Sequence, residues 1–370
     1  MRNKKKIVLS GANITSGGPL TIFNEALDEL SQCNNSEIIA IVNSKELFFK
    51  SDNISFIEIP NYKKFVFLKF YYEYVYFKDI SKRVEPDIWI SLNDFTPNVS
   101  ARSVFTYFHN AAIFFKIEWR DILFSNRVIF QKFYYRLFLQ FNIRKNKKFI
   151  VQQNWIAESI HDLYNLPIKQ LLIFKPNFTL SNYFPVEQNE NNNFEKKLVL
   201  FYPTKAAGYK NIEFICEALN VLSKRSSVKN IELRLTIDKD ENLYSKYLNW
   251  KYKNLTIIWL GSISKDKVEE NYKEASVLIF PSRLETWGLP LTEFAKYNKP
   301  IFAIDLGYVY ETLQDYPYLA FFKPNNVNQL VELLSNKLNG IGIDYYIFNK
   351  RLSKNYNIDN VNVWNELLNY

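Results

Sequence analysis

Short apolar runs alternate with stretches of helical period along the first half of this chain. Strands are predicted over Lys6–Gly11, Glu37–Val42, Asp87–Leu92 (entered through Pro86), Ser103–Phe108 and Phe149–Gln152, each a compact run of Val, Ile, Leu, Phe or Trp. Between them, Pro19–Gln32, Tyr62–Arg83, Trp119–Asn142 and Trp155–Tyr164 carry apolar residues at a spacing that suits helices with one buried face. Strands alternating with helices predict a parallel sheet covered on both sides.

The pattern then breaks. From Pro176-Asn177 to Lys197 there is no apolar period, and the run Glu187-Gln-Asn-Glu-Asn-Asn-Asn-Asn193 has the composition of a connector. A second series follows: strand Leu198–Tyr202, helix Ile212–Ser223, strands Ile231–Ile237 and Leu255–Leu260, and helix Lys265–Ala275. Next come the buried run Ala275–Phe280, a helix over Pro290–Tyr297, and a helical tail at Val361–Leu368. The predicted division is a first domain over 1–176, a connector over 177–197, a second domain over 198–355 and a C-terminal helix within 356–370.

Composition narrows the class. Of the 370 residues 47% are hydrophobic, which excludes a disordered chain. Two cysteines, Cys33 and Cys216, make no disulfide framework or metal spacing and point to a reducing cytoplasm. With His109 and His161 the only histidines, a zinc site built on several of them is not expected. His161, inside a predicted helix, reads as a surface or structural residue. The lead-in Met1-Arg-Asn-Lys-Lys-Lys6 precedes an apolar run too short for a signal peptide, and no uncharged run reaches the ~18 residues of a membrane span. The net charge of +9 is concentrated: residues 116–148 hold nine Lys or Arg against Glu118 and Asp121, interleaved with aromatics. Two readings fit that segment equally, an anionic membrane surface or a helix pair with an aromatic core side and a basic outer side.

Three loops could carry chemistry. Pro281-Ser-Arg-Leu-Glu285-Thr-Trp-Gly288-Leu-Pro290-Leu-Thr-Glu293 sets two carboxylates eight positions apart around a strand-to-helix turn, with proline in the first helical turn. The positive end of that helix suits a phosphate, and carboxylates beside it suit the hydroxyls of a sugar or ribose. Tyr202-Pro-Thr-Lys205-Ala-Ala-Gly208-Tyr-Lys210-Asn211 brings two lysines to another strand-to-helix loop, placed to converge on a diphosphate. Ser10-Gly-Ala-Asn-Ile-Thr-Ser-Gly17-Gly18-Pro19 offers backbone N–H groups at a helix start but is not the G-x-G-x-x-G dinucleotide signature. His109 closes a predicted strand, where open α/β sheets bind ligands.

These residues resemble the E-x7-E signature and accompanying loops of retaining glycosyltransferases of the GT-B fold, specifically glycosyltransferase family 4. The likeness extends through Lys299-Pro-Ile-Phe-Ala-Ile-Asp305 to Gly307 and Glu311. It implies an α/β architecture of two Rossmann-like domains with parallel sheets facing each other across a cleft. The first would bind the acceptor and the second the nucleotide sugar, with the C-terminal helix packing back on the first. By the resemblance, Glu285 contacts donor-sugar hydroxyls, Glu293 holds the ribose, and the N–H groups of Trp287, Gly288 and Leu289 line the sugar and diphosphate. Lys210 and Lys205 neutralise the leaving diphosphate, Lys205 departing from the more usual Arg. Gly17 and Gly18 approach the donor phosphate, His109 positions the donor sugar, and Ile263 meets the base. Asn298 stands where many relatives have Gly. His109, Glu285 and Lys210 are thus the catalytic candidates.

The implied reaction is transfer of a hexose from a nucleoside-diphosphate sugar to a saccharide, with no metal and no cofactor beyond the sugar nucleotide as co-substrate. An undecaprenyl-linked acceptor at the inner-membrane surface, in O-antigen or capsule assembly, fits the basic aromatic half. The enzyme would then be cytoplasmic and peripheral to that membrane. Two alternatives remain: a GT-B sugar-nucleotide epimerase, and a basic nucleic-acid-binding protein. Nucleic acid is not the expected partner, because the basic cluster lies apart from the E-x7-E loop.

Overall fold

The computed structural model describes residues 4–33, 35–175, 197–225, 231–346 and 363–370. These form two compact units, one of 4–114, 132–175 and 363–370, the other of 115–131 and 197–346. The segment 115–131, read from the sequence as part of the first half, groups by its contacts with the second. The expected connector lies outside the described residues, except for Lys197.

In the first unit seven strands form one parallel sheet in the order β3-β2-β1-β4-β5-β6-β7. They are β1 (Lys5–Ser10), β2 (Ser36–Val42), β3 (Ile54–Glu58), β4 (Ile88–Ser91), β5 (Ser103–Phe108), β6 (Lys148–Val151) and β7 (Leu171–Ile173). Ile7 pairs with Ile38 on one side and Ile88 on the other, and the middles of these strands are runs of buried apolar residues, as a sheet covered on both faces favours. Edge strands β3 and β7 escape the sequence reading: β7 is three residues long, and β3 is half exposed on one side. The helix Gly18–Ser31 lays Ile22, Phe23, Ala26, Leu27 and Leu30 on the sheet, and Val363, Trp364 and Leu367 join the same core.

The helix expected over Tyr62–Arg83 begins at Val66 and is interrupted by a π turn at Tyr72–Tyr76 before Phe77–Val84 completes it. Glu73 in that turn is buried, accepting hydrogen bonds from Tyr62 Oη at 2.5 Å and Asn93 Nδ2 at 2.8 Å. Burial pushes its carboxyl up from 4.5 to about 8, against the pull of those two donors. Folding therefore favours the protonated acid, and this contribution is full below pH 4.5, falls as pH rises, and is gone above about 8. Glu73→Gln, which stays neutral, is expected to flatten that part of the stability profile; denaturant melts of both proteins between pH 5 and 9 would measure it. Parallel profiles would show that Glu73 is ionised in the folded protein.

The second unit has a parallel sheet in the order β10-β9-β8-β11-β12-β13. Its strands are β8 (Leu198–Tyr202), β9 (Ile231–Leu235), β10 (Ile257–Trp259), β11 (Val277–Phe280), β12 (Ile301–Ile304) and β13 (Leu319–Phe322). Strand order reverses between β8 and β11 here, and between β1 and β4 in the first unit. Ligands bind open parallel sheets at the carboxyl ends of strands at such reversals.

The single helix expected over Trp119–Asn142 is two, Asp121–Phe124 and Asn126–Phe138, broken at Ser125. Within this segment Trp119 is 80% exposed, and Ile122, Leu123, Phe130, Phe133 and Leu137 are exposed too. In the same segment Tyr135 and Leu139 are buried in a core of the first unit, with Tyr134 and Phe138 packed against it. Among the described residues no helix is long and apolar enough to cross a membrane.

Candidate functional site

Both chemistry-bearing loops of the second unit leave carboxyl ends at its strand-order reversal. After β8 the chain makes a tight helical turn at Gly208–Lys210, closed by Asn211 in the left-handed conformation (φ 58°) that Asn tolerates better than most residues. Tyr202, buried at the end of β8, donates its hydroxyl hydrogen to the Lys210 carbonyl at 3.1 Å and fixes the turn. After β11, Ser282 Oγ donates to the Leu284 carbonyl at 3.2 Å, and Tyr308 Oη donates to the Ser282 carbonyl at 2.8 Å.

The two loops meet at Lys210 and Glu285. Lys210 Nζ lies 2.5 Å from Glu285 Oε1, with the side chains only 14% and 17% exposed. Burial opposes the lysine's charge, but the Glu285 carboxylate more than offsets it and holds Lys210 above the ordinary lysine range. The result is a fixed positive charge paired with a held carboxylate. Lys205, on the same loop, is exposed.

Gly288 caps the helix Leu289–Ala295 at φ 80°, a conformation costly for any residue with a side chain. Trp287 is buried beside it and its carbonyl accepts from Thr312 Oγ1 at 2.5 Å. Leu289 opens the helix, and one turn along it Glu293 Oε2 accepts from Tyr272 Oη at 2.9 Å. Ile263 is half-buried in the turn after β10, just before Ser264 caps the next helix. Asn298 has φ 51°, which explains why glycine suits that position.

In the first unit, His109 follows β5, its N–H donating to Asp94 Oδ1 at 2.9 Å and its Nδ1 lying 3.3 Å from the same oxygen. Asp94 is itself buried at φ 71° and accepts from Tyr135 Oη at 3.0 Å. Gly17, at φ 74°, precedes the helix that begins with Gly18. The loop between β1 and that helix is tied to the end of β4, Asn13 N donating to Asn93 Oδ1 at 3.2 Å. Lys210 and Glu285 thus stand at the strand-order reversal of the second unit, and the Gly17–Gly18 loop at that of the first, whereas Ile263 follows the edge strand β10 and His109 follows β5.

Residues 184–360 match the family model described as Glycosyl transferases group 1. That match spans just under half of the chain, so the likeness to group 1 glycosyl transferases is one of this region. Over 115 residues it is 30% identical to an uncharacterized glycosyltransferase, MJ1178, of Methanocaldococcus jannaschii, covering 30% of this chain and 33% of that protein. Over 183 residues it is 22% identical to the O-antigen chain mannosyltransferase RfbU of Salmonella typhimurium, covering 50% of this chain and 49% of the relative. The matches thus span between a third and a half of these curated relatives. Among solved structures, a glycosyltransferase from Rickettsia africae aligns with TM-score 0.60 at 18% identity over 90% of this chain and 88% of that one. HepE of Anabaena, in complex with UDP-glucose, aligns with TM-score 0.58 at 12% identity over 90% of each chain. The shared architecture is the GT-B type, two Rossmann-like domains with parallel sheets.

Around the Lys210–Glu285 pair stand residues that the sequence reading passed over. Arg283 is nearly buried; its guanidinium bonds both carboxylate oxygens of the fully buried Asp121, Nη1 to Oδ2 at 3.1 Å, and Nη1 lies 3.0 Å from Glu118 Oε1. The Phe115 ring lies under it at 5.2 Å. Arg120 bonds Glu118 at 2.9 Å, Glu213 at 2.8 Å and the Asn211 side-chain oxygen at 3.0 Å. Gly208 is needed for close approach, because a Cβ there would sit 2.8 Å from Phe124 Cβ. One signal was present in the sequence: Glu118 and Asp121 are the only acids in the basic segment 116–148, and both turn inward to arginine.

Proposed function

We propose that this protein is a retaining glycosyltransferase that moves a hexose from a nucleoside-diphosphate sugar to a saccharide acceptor. The observation that carries this reading is the Lys210–Glu285 pair, held between two loops at the strand-order reversal of the second unit. A pre-positioned cation there stabilises negative charge building on the leaving diphosphate without reorganising during the reaction. Glu285 orients the donor sugar. Glu293 takes the ribose, Lys205 adds charge from solvent, and Trp287, Gly288 and Leu289 lend backbone N–H groups. Ile263 meets the base. Gly17, Gly18 and His109 have the roles that the resemblance implies.

Support for a sugar-nucleotide donor comes from the UDP-glucose complex of HepE, and for a surface-polysaccharide acceptor from RfbU, named as acting on the O-antigen chain. A lipid-linked acceptor agrees with the exposed apolar side chains of the basic segment. Trp119, Ile122, Leu123 and Phe130 stand among its cations in the way an anionic membrane surface would accept. The enzyme would then work on the cytoplasmic face of the inner membrane.

Calorimetric titration with UDP, GDP, dTDP and CMP tests the reading. One nucleotide is expected to bind in the micromolar range, and Glu293→Ala to weaken it roughly tenfold or more, as loss of a hydrogen bond to a charged group does. Silence of the folded protein across the panel would overturn the assignment. Once the base is known, transfer to an acceptor, rather than release of an epimerised sugar, separates a transferase from an epimerase.

A further inference from the structure

The segment 115–125 contributes no residue to the Lys210–Glu285 pair, yet it grips the chain on both sides of it. Arg120 Nη2 donates to Asn211 Oδ1 at 3.0 Å, one residue after Lys210. Asp121 and Glu118 hold the guanidinium of Arg283, two residues before Glu285. The Arg283 backbone N–H in turn donates to the Tyr209 carbonyl at 2.9 Å, one residue before Lys210. The absence of a side chain at Gly208 lets Phe124 and Ser125 approach the same turn.

From this connectivity we infer that Glu118, Arg120 and Asp121 are positioning residues, a charged brace that sets the separation of Lys210 and Glu285. The inference rests on the proposed function for its consequence and on the contacts alone for its existence. Three features make the brace more than an ordinary buried ion pair. Its bidentate Arg–carboxylate geometry fixes angle as well as distance. It touches both site loops from one short segment. And Asp121 is fully buried, so the Arg283 position cannot relax toward water without opening the turn. A cation that must meet a developing diphosphate charge gains most when its position is set beforehand, and small displacements there are costly.

The test reads Lys210 directly, without a ligand. In reductively ¹³C-methylated protein the Lys210 resonance, identified by its loss in Lys210→Arg, is expected to titrate above the other lysines. In Asp121→Asn, and more mildly in Arg120→Lys, it should move toward ordinary lysine behaviour. Asp121→Asn/Arg283→Gln supplies the control for mere folding. Removing both charges spares the protein a stranded buried ion and should recover thermal stability. If the brace positions Lys210, the resonance stays displaced in that double variant and turnover of the matching sugar nucleotide stays at least tenfold down. If Asp121 is only structural, titration and turnover recover together with stability, and the inference falls. An unmoved Lys210 resonance in Asp121→Asn overturns it as well. Should the wild type bind no nucleoside diphosphate while the resonance still moves, the proposed function fails and the brace stands.

Discussion

Replacing Lys210 with alanine is expected to lower donor turnover by roughly two to three orders of magnitude, the usual loss when one pre-organised donor to developing negative charge is removed. Two effects combine. The leaving diphosphate loses a cation whose pairing with Glu285 keeps it charged across the physiological range. And Glu285, only 17% exposed, is left without its partner, so it ceases to be held in one orientation. Lys210→Arg should retain charge but not geometry, because a planar fork replaces a compact ammonium in a gap of 2.5 Å. The measurement is the rate of donor cleavage, with or without acceptor, using the sugar nucleotide that calorimetry selects. Nucleotide affinity should fall less than turnover if Lys210 acts chiefly in the transition state. Unchanged turnover in Lys210→Ala would remove this residue from the catalytic candidates and, with it, the central support for the assignment.

The second large effect concerns stability and the end of the chain. Trp364 is 0% exposed in the core of the first unit, its ring 5.4 Å from that of Phe174 and 6.0 Å from that of Tyr107. Val363 and Leu367 fill the same core beside the helix Gly18–Ser31. Trp364→Ala should cost about 3–5 kcal/mol, the transfer term plus the cavity left behind. At roughly 2–4 °C per kcal/mol for a unit of this size, its melting transition should drop by about 10 °C. Differential scanning calorimetry would show it. A variant that melts with the wild type would mean that these last residues are dispensable for the first unit.

Much of the architecture could be read from side-chain pattern because parallel strands buried on both faces must be apolar throughout. Leu198–Tyr202 shows this most cleanly, predicted and observed over the same residues. Failures occurred where the pattern carries little information. Leu319–Phe322 is a strand at the sheet edge, and Leu243–Lys251 is a helix whose apolar face is weak. The break at Ser125 and the π turn at Tyr72–Tyr76 answer to contacts made elsewhere, by Gly208 and by Asn93. No local periodicity reports such partners.

The candidate site divides in the same way. By itself the sequence determined which residue types stand in each strand-to-helix loop: Glu285 and Glu293 around Gly288, Lys205 and Lys210 around Gly208, and His109 closing its strand. That much is local, since strand ends and helix starts are set by neighbouring residues in the chain. Tertiary structure alone decided that Lys210 meets Glu285 across 75 positions of sequence while Lys205 stays in solvent. It also turned the two acids of a basic segment onto Arg283 and Arg120. Ion pairs form wherever folding brings opposite charges together in a region of low dielectric, and their partners are chosen by strand order, which no single stretch of sequence contains.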